Sequence, residues 1–570
     1  METRKLLWPM ALVFSVILLL QYIELPYGYV LSSLLSFGKS QVTSAGGFLA
    51  GAAAASNINP TTEVLHNATK LPDPPNRNRT DESNKSSNAS SGAANYGRAA
   101  GYPPQDIPVK NRSSKDETSA GNKSVSLSMF VNNSNAGPRT DLADSVYNSS
   151  SAVKSPAKRK WIKGPPAVVV PISAMNDMLR QSRASYLAVK PRWPSRADGE
   201  LLNAQKLIES VRIVDKIPRV DDDVYRNYSA FVRSYELMEQ SLKIYVYDEG
   251  KRPIFHQPEM SGIYASEGWF MKQIEESERF RTKNASDAHL FYLPFSSRVL
   301  QETLYVKYSH SRKNMVAFLS DYLRTIAAAY PFWNRTSGAD HFLVACHDWA
   351  PSETKRIMRN CIRALCNADI RGGLQFGKDV SLPEIFVRNA SDPLKDVGGK
   401  PPSQRRTLAF FAGNMHGYFR PILLDYWQDK DPEMKIFGKL RPGKGRKTYI
   451  QYMKSSKYCI SAKGYEAYTP RVMEAIFYEC VPVIISDNYV PPFFETLNWE
   501  SFAVFVLEKD TPNLKRILES IPEKTYLKMQ ERVRRVQKHF LWHMKPVKFD
   551  VFHMILHSIW YTRVFQIRPS

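Results

Sequence analysis

Cysteine is scarce in this chain of 570 residues, and the five present, Cys346, Cys361, Cys366, Cys459 and Cys480, all lie beyond the midpoint. An odd count leaves at least one thiol free or joined to another chain, and the sequence does not give the connectivity. Cys361 and Cys366 stand at C-x4-C, and His539 with His543 and His553 with His557 at H-x3-H. These pairs are far apart in the chain and the histidines fall in apolar helical surroundings, so a compact zinc site is not expected. Apolar periodicity is missing from about Lys39 to Pro194, where Ser, Asn, Ala, Gly and Pro dominate. Such a stretch cannot bury enough surface to offset its chain entropy, which excludes a folded domain there and predicts a flexible stalk. An isolated D-x-D between apolar strands is also absent; DDDVYR, residues 221 to 226, has the letters but precedes the first strand and reads as solvated charge.

The long apolar run is single and lies at the N-terminus. LLWPMALVFSVILLLQY, Leu6 to Tyr22, follows Arg4 and Lys5 and has about the length of the shortest bilayer-crossing helices. No small-residue cleavage site follows at once, which argues against a removed signal peptide. With the positive charges on the N-terminal side, the N-terminus is expected in the cytosol and the rest in the lumen, a type II arrangement. Asn67, Asn78, Asn84, Asn88, Asn111, Asn122, Asn132 and Asn148 each begin an N-x-Ser/Thr triplet in the predicted stalk. Asn227, Asn284, Asn334 and Asn389 do so further on, and such triplets accept glycans in the secretory lumen. Basic residues outnumber acidic ones by 78 to 55, a formal charge of +23. That excess suits anionic partners such as sugar-nucleotide phosphates, acidic polysaccharide or lipid head groups; the lumen holds no nucleic acid to bind.

Beyond about Tyr235, strand-length apolar runs alternate with helical ones. LKIYVYD, HLFYLPF and HFLVACHD form a first series, with WFMKQIEES and MVAFLSDYLRTIAAAY between them. TLAFFAGN, MKIFGKL, KYCISAKG, CVPVIIS and FAVFVLE form a second, with YIQYMKSS and RVMEAIFYE. The alternation predicts α/β domains with parallel sheets. The predicted layout is a cytosolic tail at 1–5, an anchor at 6–22 and a mostly disordered, N-glycosylated stalk at 23–235. Two Rossmann-like domains facing a cleft follow at 236–400 and 401–510, and a helical segment at 511–570 packs back on them.

Chemistry concentrates in SAKGYEAYTPRVMEAIFYECVPVIIS, residues 461 to 486. Lys463 and Gly464 turn the chain after a strand, Thr469 is expected to cap a helix, and Pro470 to occupy its first position. A helix start, Arg471 and Lys463 together suit a phosphate, and Glu474 suits ribose hydroxyls, with Glu466 facing the same opening. The same letters also fit a plain helix cap and an exposed Arg471–Glu474 pair. Arg420, in GNMHGYFRPIL, is a second cationic candidate. A general base is expected from the first domain, where His347 and Asp348 close one strand and Asp287 and His289 open another.

The segment GYEAYTPRVMEAIFYECVPVIIS, together with LKIYVYDEG, ASEGWFMKQI, DAHLFYLPFS, DHFLVACHDWAP, AFFAGNMHGYFRPIL and YVPPFFETLNW, resembles the plant members of the exostosin family, glycosyltransferase family 47, over about residues 240 to 510. The resemblance implies a Golgi type II membrane enzyme of GT-B architecture. It would move a sugar with inversion from a nucleotide diphosphate sugar to a cell-wall polysaccharide, hemicellulose or pectin, or to a glycan. It implies no metal and no cofactor beyond the nucleotide sugar as co-substrate, and admits a complex with other glycosyltransferases. The rival expectation is a catalytically silent scaffold or binding subunit of such a complex.

Overall fold

The computed structural model describes residues 168–185, 190–211, 222–257, 259–440 and 445–567. The expected cytosolic tail, the anchor at 6–22, the stalk as far as residue 167 and the triplets from Asn67 to Asn148 lie outside the described residues. Among the described residues, no helix is long and apolar enough to cross a membrane.

Two parallel sheets organise the chain. The first holds β1 (Ile244–Val246), β2 (Arg281–Thr282), β3 (Leu290–Tyr292), β4 (His341–Ala345), β5 (Ile362–Leu365) and β6 (Val380–Ser381), in the spatial order β2-β1-β3-β4-β5-β6. The second holds β7 (Thr407–Ala412), β8 (Met434–Phe437), β9 (Ser456–Ala462), β10 (Val481–Ile485) and β11 (Val504–Phe505), in the order β11-β10-β9-β7-β8. Every recorded strand pairing is parallel. The central strands are buried throughout because helices cover both faces, which is why LFY, HFLVA and VPVII read as unbroken apolar runs rather than alternating ones. Three strands escaped the sequence pattern. β2 and β6 are two residues long, and β5 carries Arg363, whose buried guanidinium is neutralised by Asp379 at 2.5 Å.

The predicted stalk extends too far at its C-terminal end. Its last part forms three helices, Ile172–Ser185, Arg196–Glu209 and Tyr228–Ser241, which deliver Met175, Leu179, Leu201, Ile208, Phe231 and Tyr235 to the main core. The middle helix starts on a capping box, with Ser195 accepting from the Asp198 amide and Asp198 accepting from that of Ser195. Asp198 also pairs with buried Arg335 at 2.6 Å, and Arg335 reaches Asp340 beside β4 at 2.9 Å. These helices hold few apolar residues for their length, so local composition hides them. The second and third gain stability from one face packed on the Val551–Gln566 helix. That C-terminal helix is buried on nearly all sides and packs on β5, β6 and the two later helices.

Two disulfides form, Cys346–Cys366 at the ends of β4 and β5 and Cys459–Cys480 between β9 and β10, with Cys361 free and buried. His539 bonds Tyr225 and the Phe549 carbonyl, His557 bonds Ser234, and His553 bonds Asp550. All three are packing residues. Among the described residues, no group of three or more His, Cys, Asp or Glu side chains could hold a metal ion.

Candidate active site

The carboxyl ends of both sheets open onto one cleft of about 810 Å³. Loops after β4 and β6 supply Asp348, Glu384 and Arg388 on one side; loops and helix starts after β7 and β9 supply Asn414, Arg420, Glu466, Tyr468, Arg471 and Glu474 on the other. Parallel α/β sheets place ligands beyond strand carboxyl ends, where loops rather than ladders decide the chemistry.

Two guanidinium groups dominate one wall. Arg471 opens the Arg471–Phe477 helix, and its Nε donates to the Ala412 carbonyl at 2.9 Å and its Nη1 to Thr469 Oγ1 at 3.2 Å. Arg420, buried, donates to the carbonyls of Ala462 at 3.3 Å and Asn414 at 3.0 Å. Both groups lie against the Phe411 ring, at 5.4 and 6.0 Å from its centroid. Among the described residues, neither forms an ion pair with a carboxylate. Burial first, and then the neighbouring Arg471, push Arg420 down to about 9. Glycine makes room for both: a Cβ at Gly413 would stand 2.5 Å from Arg471 Nη2, and one at Gly464 3.0 Å from Arg420 Nη2. Gly464 therefore accommodates an arginine as well as lining the cleft. Thr469 does not cap the helix as expected; Pro470 is the N-cap and the Thr469 hydroxyl serves Arg471 instead.

The carboxylates differ in their partners. Asp348 Oδ1 accepts from the hydroxyls of Tyr264 at 2.9 Å and Tyr468 at 2.6 Å, which leaves Oδ2 without a protein donor among the described residues. Asn367 Nδ2 donates to the Asp348 carbonyl at 2.8 Å and contacts Glu466 Oε2 at 3.4 Å, linking the two sides of the cleft. Glu474, expected to meet ribose, is instead engaged by the Arg388 guanidinium and by the Tyr449 hydroxyl at 2.6 Å, although it still lines the wall. Glu384 is buried and its Oε2 has no hydrogen-bond partner. Burial, then Asp348 and Glu474, hold its carboxyl well above the usual range, outweighing Arg471 and Arg420.

Four sequence candidates leave the site. Lys463 is buried on the far side of its loop, 3.5 Å from Glu508, which also accepts from the Asp487 amide and Tyr418. The side chain turns into the domain because a buried carboxylate awaits it there. Asp287 is exposed at the start of β3, at the end of the sheet away from the cleft, and accepts from Asn284 Nδ2 at 2.9 Å. Neighbouring His289 is a buried link between the Lys243 amide and Glu200. His347 follows β4 but is buried behind Asp348, its Nδ1 accepting from the Trp349 amide; burial pushes it down to about 4, too weakly basic for a general base near neutral pH. The turn that carries His347 and Asp348 is held by buried Glu267, which accepts from the amides of Cys346 at 2.5 Å and His347 at 3.0 Å. Asn227, Asn284, Asn334 and Asn389 are all exposed.

Sequence reasoning missed Glu384, Arg388, Tyr264 and Tyr449. Glu384 follows a two-residue strand and carries no pattern signal, while Arg388 becomes relevant only because folding brings it to Glu474. Tyr468 and Asn414 stood inside quoted segments, and the strand-end rule could have found them.

The exostosin GT47 domain matches residues 238–521. A probable glycosyltransferase of Arabidopsis thaliana is 43% identical over 67% of this chain and 75% of its own length, and a second is 40% identical over 75% and 89%. A probable beta-1,4-xylosyltransferase of the same plant is 29% identical over 56% of this chain and 81% of its own. Among solved structures, a chain from the Anabaena HepE complex with UDP is 11% identical over 55% of this chain and 97% of its own, at a TM-score of 0.27. Family match, relatives and a cleft built from the segments that carry the resemblance agree: the chain belongs to the exostosin GT47 family of glycosyltransferases.

Proposed function

We propose that this glycosyltransferase moves a sugar, with inversion, from a nucleoside diphosphate sugar to a cell-wall polysaccharide or glycan acceptor. The enzyme is read as GT-B-type, metal-independent and anchored in the Golgi membrane. The observation that carries the reading is the Arg420–Arg471 pair: two guanidinium groups against one aromatic ring, facing a cleft, with no counter-charge of their own. A diphosphate supplies that charge, and planar guanidinium groups meet phosphate oxygens with paired hydrogen bonds. Relatives named as xylosyl- and glucuronosyltransferases support sugar transfer without selecting the sugar. The apolar run after Arg4 and Lys5 supports the anchor.

The chemistry follows from the two walls. An acceptor hydroxyl oxygen bonds to the anomeric carbon as the bond from that carbon to the diphosphate oxygen breaks, and Asp348 Oδ2 takes the hydroxyl proton. Tyr264 and Tyr468 fix the orientation of that carboxylate. The charge developing on the leaving diphosphate falls to Arg420 and Arg471, which stabilise the transition state electrostatically. The test is calorimetric titration of the full-length chain with nucleoside diphosphates and nucleotide sugars, EDTA present, followed by transfer assays with the donor that binds. Binding of one donor and transfer from it is the expected result; a folded chain that binds none would return the silent-subunit reading.

A further inference from the structure

The four carboxyl groups on the cleft wall are not equally provided for. Asp348 has two tyrosine hydroxyls, Glu474 has Arg388 and Tyr449, and Glu466 has Asn367. Glu384 lines the same cleft at 4% exposure, and its Oε2 is sealed from solvent with no hydrogen-bond partner. A buried polar group left unpaired costs stability, and a native structure that keeps one in a ligand cleft leaves the missing bond for the ligand.

The group is also held firmly. Glu384 follows β6 in the sequence SLPEIF, where Ser266 donates to the Pro383 carbonyl at 3.1 Å and Ser381 to the Val490 carbonyl at 2.7 Å. It presents its carboxyl from the first domain, within electrostatic reach of Asp348 on its own side and of Arg471 and Arg420 on the other. With the diphosphate on the two arginines and the proton acceptor at Asp348, the reacting sugar lies between these groups, against the wall that Glu384 lines. We propose that Glu384 is a specificity-determining residue that hydrogen-bonds a ring hydroxyl of the donor's sugar, an inference that rests on the glycosyl transfer proposed above. Burial, and after it the negative charges of Asp348 and Glu474, favour the protonated carboxyl, and a protonated carboxyl offers one O–H donor and one acceptor oxygen, a pattern that a sugar hydroxyl meets in full and bare diphosphate does not.

The test compares Glu384→Gln and Glu384→Ala with the parent in the full-length chain. Binding of UDP and GDP is measured by calorimetry beside that of their conjugates with pentoses, hexoses and hexuronic acids. Glu384→Ala is expected to bind the bare diphosphate as the parent does and to lose about tenfold in affinity for the preferred nucleotide sugar. Glu384→Gln, which keeps a donor group and an acceptor oxygen in nearly the same shape, is expected to stay within about threefold of the parent. Glu384→Ala removes an orphaned buried carboxyl and Glu384→Gln exchanges it for an uncharged amide, so the ligand-free melting temperature of both variants should be close to or above that of the parent, and lost binding cannot be laid to unfolding. Unchanged nucleotide-sugar affinity in Glu384→Ala overturns the inference, as does an equal loss for the bare diphosphate. A parent chain that binds no nucleoside diphosphate overturns the transfer reading itself, and this inference with it.

Discussion

Arg471→Ala separates a site built for an anion from one built for stability. In the ligand-free fold the Arg471 guanidinium bonds one carbonyl and one hydroxyl and stands close enough to Arg420 to lower its affinity for a proton. Truncation strands the Ala412 carbonyl, at a cost of about 1 kcal/mol, and relieves the repulsion on Arg420, so the ligand-free stability should change by no more than about that amount. Binding should respond far more strongly. A hydrogen-bonded contact to a charged group contributes about 1.5–3 kcal/mol, so the dissociation constant for a nucleoside diphosphate should rise roughly 10- to 150-fold. At a ligand concentration of 100 times the parent constant, the parent gains about 2.7 kcal/mol of stability, whereas a variant weakened 100-fold gains only about 0.4 kcal/mol. Calorimetry gives the constants and thermal denaturation with and without ligand gives the linkage. Equal binding by Arg471→Ala and the parent refutes the anion site, and so does a large fall in ligand-free melting temperature, which would make Arg471 a structural residue.

The other predictions address neighbouring groups. Asp348→Asn should leave diphosphate binding intact and cut the transfer rate by about 10²- to 10⁴-fold, measured under donor saturation. Lys463→Met should do the opposite: donor affinity is expected to be unchanged, while the buried Glu508 loses its cationic partner, keeping only the Asp487 amide and Tyr418, and unfolding stability falls by about 3 kcal/mol in urea titration. Glu353 gives a pH test. Burial, opposed by the Ser297 hydroxyl, pushes its carboxyl from 4.5 up to about 7, so its contribution to stability is full below pH 4.5 and is lost as pH rises through 7. Glu353→Gln should therefore gain stability relative to the parent between pH 5 and pH 8, approaching about 3 kcal/mol at the alkaline end, and a pH-independent difference would contradict the assignment.

Much of the architecture was legible because parallel α/β folds write themselves in period and run length. β1, β3, β4, β7, β8, β10 and β11 fall inside the runs that predict them, β9 starts one residue ahead of its run, and the glycine, arginine and glutamate segment after β9 lies in the cleft. The helices between Ile172 and Ser241 were hidden because their few apolar residues acquire value only against the main core. Choosing among charged residues was harder still. Lys463 and Arg420 look alike as cations near glycine, yet one finds a buried carboxylate and the other does not.

The sequence by itself determined the family, the two α/β halves and the strand ends at which chemistry collects, since these depend on local periodicity and on motifs carried within short segments. Tertiary structure alone decided which side chains face the cleft and with what partners. Glu474 is occupied because Arg388 and Tyr449 arrive from elsewhere, Asp348 is oriented because Tyr264 and Tyr468 converge on one oxygen, and Glu384 is left unpaired because nothing converges on it. A charge is defined by its surroundings, and those surroundings come from segments far apart in the chain.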